Sequence, residues 1–128
     1  MTARPWKDLI ADCEDVWNEA DPMAMRTKLR SLFTPDARIF DPVFPTEMKV
    51  EDYANVIEYL RSQEPDNVVR FQVAHAHAGL PWARATYCVM EPGMEDFTGM
   101  IVAELDEGRI RTLVSFMDRE TEEPAENT

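Results

Sequence analysis

Leu32-Phe33-Thr34-Pro35-Asp36-Ala37-Arg38-Ile39-Phe40-Asp41-Pro42-Val43 is the stretch on which the reading of this chain turns. Its first two residues complete the apolar stripe Met25, Leu29, Leu32 and Phe33 of a helix that opens at Asp21-Pro22. There Asp accepts hydrogen bonds from exposed N–H groups, and Pro fits the first turn without losing a needed donor. Thr34-Pro35-Asp36 is expected to end the helix. Ala37 to Asp41 then alternates briefly and is stopped by Pro42, the pattern of a short or edge strand.

Upstream, Trp6, Leu9, Ile10, Cys13 and Trp17 recur at three- and four-residue steps and predict a helix from about Pro5 to Asn18, with Lys7, Asp8, Asp12 and Asp15 on its wet face. Downstream, a third helix from about Glu51 to Ser62 buries Tyr53, Val56, Ile57 and Leu60, and Glu64-Pro65-Asp66-Asn67 closes it. From Val68 the period changes from helical to alternating. Four strands follow, about Val68 to Ala78, Trp82 to Glu91, Glu95 to Asp106 and Arg109 to Asp118, joined by turns at Gly79-Leu80-Pro81, Pro92-Gly93 and Asp106-Glu107-Gly108. Connections this short favour an antiparallel meander, with the three helices covering one face. The class expected is α+β, one domain over 1–119 with an acidic flexible tail over 120–128 that has nothing to bury.

Composition sets limits on function. The formal charge of −12, from 25 acidic against 13 basic residues, repels phosphate backbones and argues against nucleic acid as a partner. No apolar run approaches the roughly 18 to 20 residues of a membrane span, and the start Met1-Thr2-Ala3-Arg4-Pro5-Trp6 has no signal-peptide pattern. A cytoplasmic location is the default expectation. Cys13 and Cys88 stand far apart without metal spacing, so they read as buried thiols rather than a disulfide framework or zinc site.

The opening stretch resembles the recurrent segment of nuclear transport factor 2-like proteins, of the SnoaL-like and ketosteroid-isomerase branch. In these a helix ends in an aromatic, an Asp-Ala pair begins a strand and Asp-Pro closes it. Asp106-Glu107-Gly108-Arg109-Ile110 is similar to the acidic-Gly-basic-Ile turn before that family's last strand. With the element order, the resemblance spans roughly Trp6 to Asp118. It implies a cone-shaped α+β barrel, three N-terminal helices packed on a curved, mainly antiparallel sheet around an apolar cavity. It also implies a homodimer through the outer sheet face, and a small apolar ligand without a cofactor. The superfamily holds isomerases, dehydratases, cyclases, epoxide hydrolases and non-catalytic modules, so fold does not choose a reaction.

Asp41 matches the Asp-Pro-Val of ketosteroid isomerases, where the Asp moves a proton beside a carbonyl. An apolar cavity suits that work by raising carboxylate basicity. The competing reading is a strand end in which the side chain bonds nearby amides. Aligned on the two motifs, the isomerases' oxyanion-hole tyrosine falls near Cys13 and their protonated aspartic acid near Ile101, so those donors are replaced. Ser115 falls where SnoaL-like cyclases carry an acid/base aspartate. Ile101, Ala103 and Ser115 do not supply the Asp-Arg-Asp set of limonene epoxide hydrolases.

Alternation from Ile101 and Ser115 as cavity-facing adds Phe97, Gly99, Ala103, Leu105, Leu113 and Met117 to that side. For the preceding strand it favours Trp82, Arg84, Thr86, Cys88 and Met90 inside. A buried Arg84 would need a carboxylate or anionic ligand, whereas a bulge that reversed the phase would leave it solvated. Trp17 and Tyr53 are expected to put polar tips toward the cavity or to serve as core. His75 and His77, two apart on one strand face, could act as acid and base, but two nitrogens make an incomplete metal site. The candidate site is therefore Asp41 for catalysis and Trp17, Tyr53, Arg84, Thr86, Ile101, Ser115 and Met117 for the ligand. A binding or dimerisation module of the same fold is the alternative to an enzyme.

Overall fold

The computed structural model describes residues 4–42, 44 and 46–118. The first three residues, Val43 of the opening motif and the acidic stretch over 120–128 lie outside them. Three helices, α1 (Trp6–Asn18), α2 (Pro22–Leu32) and α3 (Val50–Gln63), alternate with and precede five strands, β1 (Phe33–Phe40), β2 (Val68–Ala76), β3 (Trp82–Met90), β4 (Phe97–Asp106) and β5 (Arg109–Met117). The strands form one sheet in the order β1-β5-β4-β3-β2. Its β2-β3-β4-β5 meander is antiparallel, and β1 joins β5 in parallel. The fold is thus α+β with a mixed, mainly antiparallel, unclosed sheet.

Local chemistry explains the boundaries. Asp21 caps α2 by accepting a hydrogen bond from Met23 N–H at 3.1 Å, and Pro22 follows in the first turn. Asp21→Ala is expected to lower stability by about 1 kcal/mol, read from urea denaturation. Asp52 closes the start of α3 by accepting from Lys49 N–H at 3.0 Å. The β4–β5 hairpin turns on Glu107 and Gly108, both at positive φ (51° and 80°), as the tight primed turns of twisted hairpins require.

One boundary departs from expectation. Strand β1 begins at Phe33, directly after α2, rather than at Ala37, and Thr34-Pro35-Asp36 belongs to it. Pro35 is tolerated because β1 is an edge strand and its register with β5 shifts between Phe33 and Arg38, so the missing N–H leaves no gap in a continuous ladder.

The helices lie on one face of the sheet and share with it a core built around Leu9, Met25, Leu32, Ile39, Met48, Ile57 and Ile110. Each such side chain contributes roughly 1.5 to 3 kcal/mol by leaving water. Both sheet edges are occupied. On β1, Ile39 and Met48 exchange backbone hydrogen bonds at 3.0 and 2.8 Å. On β2, Asn18 of α1 donates to Val69 C=O at 2.8 Å and accepts from Val69 N–H at 2.9 Å, while Glu14 accepts from Phe71 N–H at 2.8 Å. These side chains satisfy the backbone groups that an edge strand leaves unpaired. No helix among the described residues is long and apolar enough to cross a membrane.

Candidate active site

Between helices and sheet lies a cavity of about 310 Å³, the size of a small-ligand site. Trp17 from α1 and Tyr53, Leu60 and Arg61 from α3 form its roof. Its opposite wall includes Tyr87, Phe97, Ile101, Ser115 and Met117 from β3, β4 and β5. Asp41, immediately after β1, borders it, as do Glu64, Asn67 and Glu91. The sequence candidates Trp17, Asp41, Tyr53, Ile101, Ser115 and Met117 therefore meet in one space.

Arg84 and Thr86 do not, and this corrects the expected phase of β3. Ala85 pairs with Ile101, and Tyr87 with Gly99, so the inward set is Ala83, Ala85, Tyr87 and Val89. Trp82, Arg84, Thr86, Cys88 and Met90 take the outer phase, and Arg84 is exposed. The physical reason is the close approach of α1. Trp6 donates its indole N–H to Arg84 C=O at 2.8 Å, and the small Ala83 and Ala85 on either side are buried in the core that includes Trp6. Thr86 instead accepts from Val73 N–H at 3.2 Å, where the β2–β3 register shifts between Phe71 and Val73.

His75 pairs opposite Arg84, and both His75 and His77 are exposed and away from the cavity. The structure thus removes them from acid/base work there. No group of three or more potential metal ligands occurs among the described residues.

Around Asp41, the turn hydrogen bond runs from Phe44 N–H to the Asp41 backbone carbonyl at 3.0 Å. Tyr53 is buried and packs edge-on against both Trp17 and Phe33, with ring centroids 6.0 and 6.3 Å away. Its phenol is held well above the ordinary value of 10.0, first by burial and then by the negative charge of Asp41, while a side-chain hydrogen bond from Trp17 acts the other way. Burial also pushes the Cys13 thiol up to about 12. At neutral pH Tyr53 is therefore a neutral hydroxyl lining the same cavity as the Asp41 carboxyl.

The sign of the linkage gives a prediction. The unfolded chain loses the Tyr53 proton first, so the associated stability is fully present below 10.0 and is lost as pH rises from there through the folded value. Tyr53→Phe is expected to flatten the fall of the urea midpoint that sets in as pH rises above 10.0. An equally steep fall in the variant would remove Tyr53 as its source.

Sequence reasoning missed Tyr87. Its hydroxyl lies 3.1 Å from Ser115 Oγ and 3.4 Å from Phe116 C=O, and its ring stacks edge-on with Phe71 at 6.0 Å. Gly99 was the available signal, because glycine inside a strand marks a close approach by a neighbour. Arg61 was also missed. It donates from Nη1 to Asn67 C=O at 2.7 Å, and its covered Nε has no acceptor among the described residues.

No protein-family model and no curated protein matches the sequence. Solved structures do resemble the fold. A SnoaL-like family protein from Agrobacterium tumefaciens strain C58, named a candidate isomerase, superposes with a TM-score of 0.76 at 23% identity, covering 88% of this chain and 97% of that one. IdmH, a candidate polyketide cyclase from Streptomyces antibioticus, gives 0.71 at 20% identity over 88% and 91%. The de novo designed NTF2 fold protein NT-9 gives 0.67 at 15% identity over 88% and 86%. The chain therefore has the nuclear transport factor 2-like fold, the architecture of its SnoaL-like neighbours. At these identities the likeness carries architecture alone.

Proposed function

We propose that this protein is a cofactor-independent acid/base enzyme, of isomerase, lyase or cyclase type, acting on a small apolar carbonyl compound with Asp41 as proton shuttle. The observation that carries the reading is the place of Asp41, a carboxylate bordering a largely apolar cavity within electrostatic reach of the buried Tyr53 hydroxyl. Asp41 takes a proton from the carbon beside the carbonyl, and the C–H electron pair moves into the C–O π system as an enolate. The carboxyl then returns the proton to another carbon, or the enolate carbon attacks a second carbonyl within the same molecule and the carboxyl gives its proton to the alkoxide that forms. A neutral donor near the oxygen lowers the barrier by stabilising charge as it develops. The candidate isomerase and candidate cyclase among the structural neighbours accord with this chemistry.

The test is turnover of a panel of enolisable ketones and lactones by the wild type and Asp41→Asn. A second reading, a ligand-binding module without catalysis, is favoured by the exclusion of Arg84, Thr86 and both histidines from the cavity. Ligands bound equally by both proteins and turned over by neither would establish it.

The proposal includes a homodimer through the outer sheet face. Support comes from the apolar side chains on that face, Trp82 at 46% and Phe116 at 50% exposed, with the half-buried Met100 and Val102 between their rows, since a contiguous exposed apolar patch marks an association surface. Sedimentation is expected to give a dimer that Phe116→Asp weakens. A concentration-independent monomer would remove the dimer and leave the cavity chemistry untouched.

A further inference from the structure

Tyr87 owes its place in the cavity wall to an unusual neighbour. It stands opposite Gly99 in the β3–β4 ladder, and its ring lies across that residue. A Cβ at position 99 would come within 2.3 Å of both Cζ and Oη of Tyr87 and within 2.5 Å of Phe116 C=O. Glycine inside a strand weakens it, since it packs nothing and loses more freedom on folding. What Gly99 provides in return is passage. The phenol crosses β4 and reaches β5, where it meets Ser115 Oγ at 3.1 Å. The cavity surface around this pair is apolar, with Val89, Phe97, Ile101 and Met117.

We propose that the Ser115 hydroxyl, with Tyr87 donating to it from behind, is the site that holds the carbonyl oxygen of the cavity's ligand. The inference rests on the carbonyl reading above and locates the oxygen that reading requires. Each hydroxyl carries one proton. The phenol is the stronger acid of the two, and Ser115 Oγ at 3.1 Å is nearer to it than Phe116 C=O at 3.4 Å, so in this arrangement it donates to Ser115. Ser115 then has its own proton to direct into the cavity. A chain running from Tyr87 through Ser115 to the ligand oxygen is polarised in one direction, so each bond strengthens the next.

The chemistry balances with Asp41 as the only proton carrier. As the C–H bond breaks, Asp41 gains the proton and the oxygen gains charge, and the Ser115 hydrogen bond tightens without its proton leaving. A neutral donor also avoids placing an uncompensated charge in an apolar space. The ligand class that fits is a compact ketone or lactone, its oxygen toward β5 and its acidified C–H toward Asp41.

The test uses 1-indanone labelled with carbon-13 at the carbonyl, bound to the full chain and followed by infrared spectroscopy. In the wild type the bound C=O stretch is expected at lower wavenumber than in hydrocarbon solvent. Ser115→Ala is expected to return it to the hydrocarbon position and weaken binding about tenfold, Tyr87→Phe to fall between, and Arg84→Ala on the outer face to change nothing. Indane, which lacks the oxygen, is expected to bind the wild type and Ser115→Ala equally. An unshifted stretch in the wild type, an unchanged one in Ser115→Ala, or indane losing affinity in parallel with the ketone would overturn the proposal. Binding, not turnover, is the readout. An Asp41→Asn protein that retained both the shifted stretch and full activity would remove the proton shuttle and leave this oxygen site standing.

Discussion

Asp41→Asn is expected to lower kcat on an enolisable substrate by about a thousandfold, the loss typical of removing a positioned general base, or about 4 kcal/mol of barrier. The amide keeps the size of the carboxyl and one acceptor oxygen but cannot take a proton at neutral pH, so substrate affinity is expected to change little. The same substitution has a second consequence that needs no substrate. Because the Asp41 charge is one of the causes that raise Tyr53, its removal should bring the phenol down toward its ordinary range while burial still holds it high. Ultraviolet titration of tyrosinate reads this directly. Unchanged kcat with a lowered Tyr53 titration would place Asp41 beside Tyr53 yet outside the chemistry.

Gly99→Ala is the substitution expected to damage the fold most for its size. The added methyl would overlap the Tyr87 ring and the Phe116 carbonyl at once, and the carbonyl belongs to a strand that cannot retreat without breaking its ladder. Overpacking a close-fitted site typically costs 1 to 3 kcal/mol, and two simultaneous overlaps put this one near the top, at about 3 kcal/mol, measured by urea or thermal denaturation. Tyr87→Ala introduced with it should recover part of the loss, because it removes one overlap and leaves the other. Strictly additive effects in that double mutant would show that the two residues do not interact.

Much of the architecture was legible because its signals were local. The stripe from Trp6 to Trp17, the Asp21-Pro22 start, the Asp106-to-Arg109 turn and the change of period at Val68 each depend on neighbouring residues. The phase of β4 and β5 was legible through the resemblance, whose two motifs set Ile101 and Ser115 on the cavity side. Strand β3 was not, since its inward residues are small or amphipathic (Ala83, Ala85, Tyr87) and its outward ones include Trp82, Cys88 and Met90. Hydrophobicity there points the wrong way, and the face is decided by a helix that approaches from far along the chain. The start of β1 was misplaced for a similar reason, because Pro35 reads as a breaker until the strand is known to be an edge. In the candidate site, Asp41 was visible through its Asp-Pro context. The Tyr87–Ser115 pair joins two strands across a third, a relation that no spacing in the sequence encodes.

The stitching of α1 to β2 by Asn18 and Glu14 bears on how a molecule gets in. Trp17 sits beside Asn18, so lifting this part of the ceiling would tear the hydrogen bonds to Val69 and Phe71 out of a poorly hydrated region and leave backbone groups stranded. Exchange of a guest is therefore expected to leave this seam closed, with the Val69 and Phe71 amides protected from hydrogen exchange whether or not a ligand is bound.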